Sequence, residues 1–215
     1  MAESQIVHID PSFAFLAWWP AAWHAAAVAL AWWLPPPWAM PAALAWVLLL
    51  PPLLCQTTAW LWPATGEMPA SSASARLWWW QQQLQAPFNR LTFIEEIFRL
   101  VPGLYQAWLA LWGGRAHPFC FFAAGSVVTD RQSVAVGRGA VIGGGAILGG
   151  HAVLRRDGRW IIAVGTVRIG PAAVVGARCV LGPGSEIGAG EELPATLPLP
   201  PFQRWLDGRR HKGSN

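Results

Sequence analysis

Two hydrophobic patterns divide the chain. From Val136 to Glu192 an aliphatic residue followed by glycine returns every six residues, in blocks that begin at Val136, Ile142, Leu148, Ile169, Val175, Leu181 and Ile187. The first position of each block is always Val, Ile or Leu and is assigned inward. The fifth is small at Ala140, Ala146, Ala152, Ala173, Cys179 and Ser185, with Glu191 departing where the repeat stops. One large and one small side chain per face fill a narrow prism. This predicts a parallel β-helix, in which each face stacks short strands on those of the neighbouring coil. Glycine at the second position is read as the backbone freedom a tight corner needs. Arg138, Arg178, Pro171 and Pro183 fall at positions that suit solvent-facing turns.

The repeat breaks once. Leu148 and Ile169 lie 21 residues apart, three hexads plus three, so part of the chain must leave the coil just after His151. A degenerate hexad at 163–168 leaves Leu154 to Ile162 as the excursion, carrying Arg155, Arg156, Asp157, Arg159 and Trp160. A charged loop on a neutral, glycine-rich solenoid is a place for function, and equally a place where a surface insertion is tolerated. Upstream, residues 128–134 read as a lead-in coil out of hexad phase. Downstream, the proline-rich run from Leu193 to Pro201 is expected to end the ladder, because proline has no amide to donate. About three coils result.

The second pattern is an unbroken apolar one. Pro11 to Gly66 contains no Asp, Glu, Lys or Arg, and His24 is its one ionisable imidazole. Pro35-Pro36-Pro37 divides it into segments of roughly 13–34 and 38–62, each long enough to cross a hydrocarbon core of about 30 Å at ~1.5 Å per residue. Pro51-Pro52 predicts a kink in the second segment, or its re-entry. Trp18, Trp19 and Trp23, then Trp32, Trp33 and Trp38, then Trp60 and Trp62 cluster toward segment ends, as indoles do at a membrane–water interface; Trp46 is the exception. From Arg76 to Trp112 follow segments read either as amphipathic helices in the membrane surface or as helices packed on the β-helix.

Charge then orients the molecule. Glu3 and Asp10, with no basic region, argue against a signal peptide. Arg76, Arg90, Arg99 and Arg115 follow the second span, which places the β-helix on the cytoplasmic side of a bacterial-type inner membrane. The net charge of +4 is spread over flanks, excursion and tail, which points to anionic lipid or phosphate and away from nucleic acid. Cys55, Cys120 and Cys179 have no close-spaced partner, so no disulfide framework or zinc motif is expected, and no metal. No permanently bound cofactor is expected either.

His151 is the one histidine inside the repeat, at a turn beside the excursion. A neutral imidazole there could take the proton from an acceptor hydroxyl as that oxygen attacks a thioester carbonyl. The Ile/Leu/Val-Gly hexads with a Gly-Gly-His turn before a loop resemble the hexapeptide-repeat acyltransferases, O-acetyltransferase-like, over about residues 120–193. The resemblance implies a left-handed β-helix, a homotrimer, acetyl-CoA or another acyl-CoA as co-substrate, and His151 as general base. It also implies phosphate contacts at Arg168 or Arg178 and pantetheine contacts near Gly182 and Gly184, although either arginine suits a solvated turn equally. The membrane half has no counterpart in soluble members, which suggests an amphipathic, lipid-linked or glycan acceptor bound by Arg155, Arg156, Asp157 and Trp160.

The expected architecture is a membrane region at 1–66, interfacial helices at 67–115, a short β-helix at 116–193, and a proline-rich, basic tail at 194–215. The expected function is membrane-anchored acyl transfer to a hydroxyl. The alternative is a non-catalytic β-helix scaffold at the membrane. A carbonic anhydrase on this fold would need three histidines converging on zinc, and the hexads offer one.

Overall fold

In a computed structural model describing residues 11–212, the inward position of each hexad is filled as the pattern requires: Ile142, Val175, Leu181 and Leu193 are fully buried. The first coil consists of β-strands β2 (Arg115–Ala116), β3 (Phe121–Phe122) and β4 (Val127–Val128), after β1 (Gly66–Pro69). The second consists of β5 (Val134–Val136), β6 (Val141–Ile142) and β7 (Ile147–Leu148). A hairpin, β8 (His151–Arg156) and β9 (Arg159–Val164), then leaves the coil. The third coil is β10 (Val167–Ile169), β11 (Val174–Val175) and β12 (Val180–Leu181), and the fourth β13 (Glu186–Ile187), β14 (Glu192–Leu193) and β15 (Pro198–Leu199). β16 (Gln203–Leu206) continues the first face, and β17 (Arg209–Lys212) turns back antiparallel against it. All other pairings within the three faces are parallel. The fold is the expected short left-handed parallel β-helix behind N-terminal helices, with four stacked coils where the hexads indicated about three.

Residue type hides both extra stretches. Ala116, Phe122 and Val128 occupy inward positions of the first coil, but His117 and Ala123 stand where later hexads carry glycine. At the other end, the run from Leu193 to Pro201 does continue the ladder, against expectation. The second-position amide of each coil donates to the coil that follows it, as Gly176 N does to Leu193 O and Gly182 N to Leu199 O, both at 2.8 Å. No fifth strand follows β14 or β15, which are sheet edges. Pro194, Pro198 and Pro200 therefore replace amides that would have no acceptor. They blunt two edges at no cost in hydrogen bonds. The basic segment Gly208–Lys212 is likewise no free tail but largely the strand β17.

Second-position glycine also has a different reason from the expected one. A Cβ on Gly143 would meet Ala177 N at 2.6 Å, so glycine there permits close stacking of corners. Positive φ falls two residues later, at Gly139 and Gly145 but also at Ala172 and Arg178.

The N-terminal half is helical: α1 (Pro11–Leu16), α2 (Trp19–Trp33), α3 (Ala39–Leu48), α4 (Leu50–Leu61), α5 (Ala73–Arg90), α6 (Phe93–Arg99) and α7 (Leu104–Leu111). The stretches Pro11–Trp33 and Ala39–Leu61, 23 residues each, are long and apolar enough to cross a membrane. Glu3 and Asp10 lie outside the described residues. The proline pair interrupts the second stretch at Leu49, between α3 and α4, with Pro51 and Pro52 buried. Trp46, out of place as an interfacial residue, stacks on Trp23 with centroids 4.6 Å apart. Each indole N–H donates to the other's backbone carbonyl, at 3.3 and 3.2 Å, which satisfies both groups inside the hairpin.

Of the two readings for residues 76–112, α5 takes the packed one. Five consecutive residues, Gln81 to Gln85, are buried, which a helix lying on a surface cannot achieve. One side meets α1 through Trp79 Nε1 to Phe13 O (3.0 Å) and α2 through Trp19 against Trp80. The other side meets the β-helix. α6 keeps Phe93 and Ile97 exposed, as is Leu100 at its C-cap.

Candidate active site

The coil departs from the hexad at the same corner in two successive turns. Between β4 and β5 it inserts a short 3-10 turn, Arg131–Ser133, and between β7 and β10 it inserts the hairpin. The first departure carries Asp130 and the second carries His151. Their strands are stacked, Val128 opposite Leu148, so the two side chains meet across neighbouring coils. His151 Nδ1 lies 2.7 Å from Asp130 Oδ2. Gly150 makes this approach possible, since a Cβ there would lie 2.6 Å from Asp130 Cβ and 2.8 Å from Ser133 Cβ.

Asp130 is fully buried yet ionised. Burial alone would raise its pKa, but the hydrogen bond and charge of His151, with hydrogen bonds from Thr129 Oγ1 (2.6 Å) and Gln82 Nε2, hold it below the usual carboxylate value. Burial alone would lower the pKa of His151, but the hydrogen bond and charge of Asp130 outweigh it and raise the value above that of free imidazole. An ionised carboxylate only accepts hydrogen bonds, so Nδ1 carries a proton in either state of the ring, and in the neutral ring Nε2 presents the lone pair. The His151 side chain is 28% exposed, whereas the carboxylate is sealed. Trp78 covers one side of the imidazole at 4.9 Å between centroids.

α5 holds this corner with one stripe of residues, Trp78, Gln82, Gln85 and Asn89, spaced by four, three and four so that all lie on one helical face. Ser72 fixes the helix start by accepting Ala75 N at 3.1 Å. Gln85 Oε1 accepts Arg131 N (2.8 Å), and Asn89 donates to Thr129 O (3.1 Å) while accepting from Arg131 Nη1 (2.8 Å). Arg131 is fully buried and paired with buried Glu95 at 2.5 Å. Glu95 also accepts from Trp108 Nε1 at 2.9 Å. A buried ion pair satisfied in this way makes the turn rigid, so Asp130 has one position.

The excursion is a β-hairpin, not a loop. Asp157 and Gly158 both have positive φ, as a type I′ turn requires. β9 pairs with β1 on its other side, tying the hairpin to the segment that follows α4. Alternation places His151, Val153 and Arg155 on one face, opposite Val164, Ile162 and Trp160. The inner part of that face packs on Ala75 and Trp78 with Met68, while Val153, Arg155 and Trp160 are exposed at its outer end. Arg155 makes no ion pair among the described residues. Arg156 points the other way and is held by Glu67 through two hydrogen bonds, 2.5 and 2.8 Å. Of the four residues expected to bind the acceptor, Arg155 and Trp160 share the imidazole's face; Arg156 anchors the hairpin and Asp157 forms its turn.

The residues expected to hold acyl-CoA are divided. Gly182 and Gly184 lie at the same corner as His151, one coil further along, where Gly184 N would lie 2.6 Å from a Cβ on Gly165 at the hairpin base. Arg168 follows on β10, exposed, beside Glu186. Arg178 occupies a different corner, between β11 and β12, over Gly145. Among the described residues no group of three His, Cys, Asp or Glu is placed to hold a metal ion. Sequence reasoning missed Asp130 and Gln82 and left Trp78 between the membrane surface and packing on the β-helix. For Trp78 and Gln82 the signal was the 4-3-4 spacing of the α5 stripe.

No protein-family model matches the chain, and no curated protein matches it. Among solved structures it is similar to a hexapeptide-repeat acetyltransferase from Vibrio cholerae, with 14% identity over 69% of this chain and 95% of that one and a TM-score of 0.39. A maltose O-acetyltransferase from Clostridium difficile matches at 11% identity over 70% of this chain and 94% of that one, TM-score 0.32. A serine acetyltransferase from Neisseria gonorrhoeae matches at 14% identity over 100% and 95%, TM-score 0.26. At such scores the likeness bears on neither activity nor substrate.

Proposed function

We propose that this protein is a membrane-anchored acyltransferase that moves an acyl group, acetyl in the first instance, from acyl-CoA to a hydroxyl of an amphipathic, lipid-linked or glycan acceptor. The observation that carries this reading is the sealed Asp130 carboxylate on His151 Nδ1, which leaves Nε2 as a base at a solvent-open corner. Nε2 takes the hydroxyl proton as the oxygen attacks the thioester carbonyl. The tetrahedral intermediate expels the thiolate of CoA, which recovers the proton from the imidazolium; an ester and free CoA thiol leave. Asp130 stabilises the imidazolium that forms in between.

Several features support the remaining assignments. Trp32, Trp33 and Trp38 at one end of the apolar hairpin and Trp18, Trp60 and Trp62 at the other are all exposed, separated along 38–60 by about 33 Å of helix. This suits a span with the β-helix on its basic, cytoplasmic side, at a bacterial-type inner membrane. The same hairpin packs on α5, which packs on the dyad, so the open corner lies one helix away from the bilayer. Arg155 and Trp160, about 13 Å along the strand from His151, suit the acceptor's anionic and apolar parts. Gly182, Gly184 and Arg168 suit acyl-CoA; Arg178 could serve only in an assembly of copies. Outward apolar rows on two coil faces, Phe121 with Val141 and Ile147 with Val180, suit self-association as a homotrimer.

The test uses full-length protein in detergent with acetyl-CoA and a glycolipid fraction extracted from membranes, following thiol release. His151→Gln should bind acetyl-CoA as the wild type does and release no thiol above background. Undiminished turnover in that variant removes the general base. A wild-type protein that fails to bind acetyl-CoA at physiological salt favours the scaffold instead.

A further inference from the structure

We propose that Gln82 is a positioning residue for the dyad: from α5, outside the β-helix, it donates to Asp130 Oδ1 and thereby sets how much negative charge Asp130 directs at His151. This rests on the reading of His151 as the base, but its test does not depend on turnover.

The carboxylate has three partners on two oxygens. His151 Nδ1 and Thr129 Oγ1 share Oδ2, while Oδ1 is taken by Gln82 Nε2. The β-helix itself therefore supplies Oδ2 with its partners and leaves Oδ1 to the helical half. Gln82 is 8% exposed and Asp130 fully buried, so water is a poor substitute for the amide. A donor on Oδ1 draws charge away from Oδ2 and lowers the basicity that Asp130 transmits to the imidazole. One turn earlier on the same helix, Trp78 covers the ring. α5 thus positions both members of the dyad at once. It is itself held from behind by the apolar hairpin, through Gln81 Nε2 on Thr58 Oγ1 (3.2 Å) and Trp79 on Phe13 O. Asp130 Oδ1 has its partner only when α5 is docked on the β-helix.

The experiment is an NMR titration of histidine Cε1–H in the full-length protein in detergent, with His151 assigned from the spectrum of His151→Gln. Gln82→Met keeps the length of the side chain and removes the donor. The expected result is a rise of about half a pH unit in the His151 midpoint, because Asp130 holds its charge closer to Nδ1. If turnover is detected, the acid limb of kcat/KM should move by the same amount while acetyl-CoA KM stays constant. Gln83→Met, an equally buried glutamine of α5 with no hydrogen bond to the turn among those observed, should leave the midpoint where it is. An unmoved midpoint in Gln82→Met, beside a shifted one in Thr129→Val, would overturn the proposal. If Gln82→Met does not fold, the wild type still decides: the Gln82 side-chain amide resonances should titrate with the His151 midpoint, and a flat response overturns the coupling. Failure of acyl transfer would leave these titrations intact.

Discussion

Asp130→Asn is the sharpest perturbation of the dyad, since it keeps shape and removes charge. The asparagine carbonyl can still accept from His151 Nδ1, and Gln82 can turn its own amide to accept from the new NH2 group, so the corner keeps its hydrogen bonds. What disappears is the attraction between carboxylate and imidazolium. With Nδ1 and Oδ2 at 2.7 Å the charge centres lie about 4 Å apart, which at an effective dielectric of ~20 corresponds to about 4 kcal/mol. At ~1.36 kcal/mol per decade, turnover should fall by about three orders of magnitude. Direction in pH follows separately. In the wild type Asp130 raises the His151 pKa, so activity should rise through an acid limb above the ordinary imidazole value of 6.5. In the Asp130→Asn variant only burial remains, which lowers that pKa, so the limb should move to lower pH while the plateau drops. Initial rates of thiol release from acetyl-CoA between pH 5 and 9, with circular dichroism confirming the fold, provide the assay. A loss under about tenfold, or an acid limb that stays in place, would refute the electrostatic role of Asp130.

Glu95→Gln leaves buried Arg131 without its ionised partner and should destabilise the protein by about 3–5 kcal/mol, read as a lower denaturation midpoint. Gly150→Ala forces its Cβ against Asp130 and Ser133; it should abolish turnover through displacement of Asp130 and cost about 1–3 kcal/mol of stability by thermal melting. Arg155→Ala should raise the acceptor KM about tenfold with acetyl-CoA KM unchanged, an effect that Arg156→Ala should not share because that side chain is occupied by Glu67. The dyad should also mark stability. Asp130, depressed, contributes above its unfolded value near 3.8 and loses this as pH falls through its folded pKa; His151, raised, contributes fully below 6.5 and loses this as pH rises through its own. Wild type minus His151→Gln should therefore be largest between about pH 4 and 6.5 in urea unfolding.

The coil was legible because its constraint is local and repeated. Each hexad shows the same inward aliphatic residue, and one break in the count placed an excursion just after His151; the structure extends it, since His151, Ala152 and Val153 open β8 and Ala163 and Val164 close β9 instead of completing hexads. What the count missed was non-local or hidden by residue type. Pro198 looks like a terminator until the direction of the ladder's donors is known, and then it is the residue that suits an edge. Phe122 fills an inward position as well as Ile142 does, but Ala123 follows it and the hexad is disguised.

Asp130 was hidden for a further reason. It is 21 residues from its partner, and its turn is out of phase with the repeat, so spacing gives no cue. The cue lies in α5, more than forty residues upstream, whose sequence suits a helix in the membrane surface and a helix packed on the β-helix equally. The burial of its glutamines decides for packing. The coil itself places Thr129 and His151 on Asp130 Oδ2 and no observed donor on Oδ1. Two departures at one corner create room for the pair, and the helical half then supplies the donor to Asp130 Oδ1 and the acceptors for the Arg131 turn. Removing the helices should therefore reach the dyad itself. It should leave Asp130 with Thr129 and His151 alone, on a turn whose buried arginine has lost Glu95, so the coil could persist while its base is disordered.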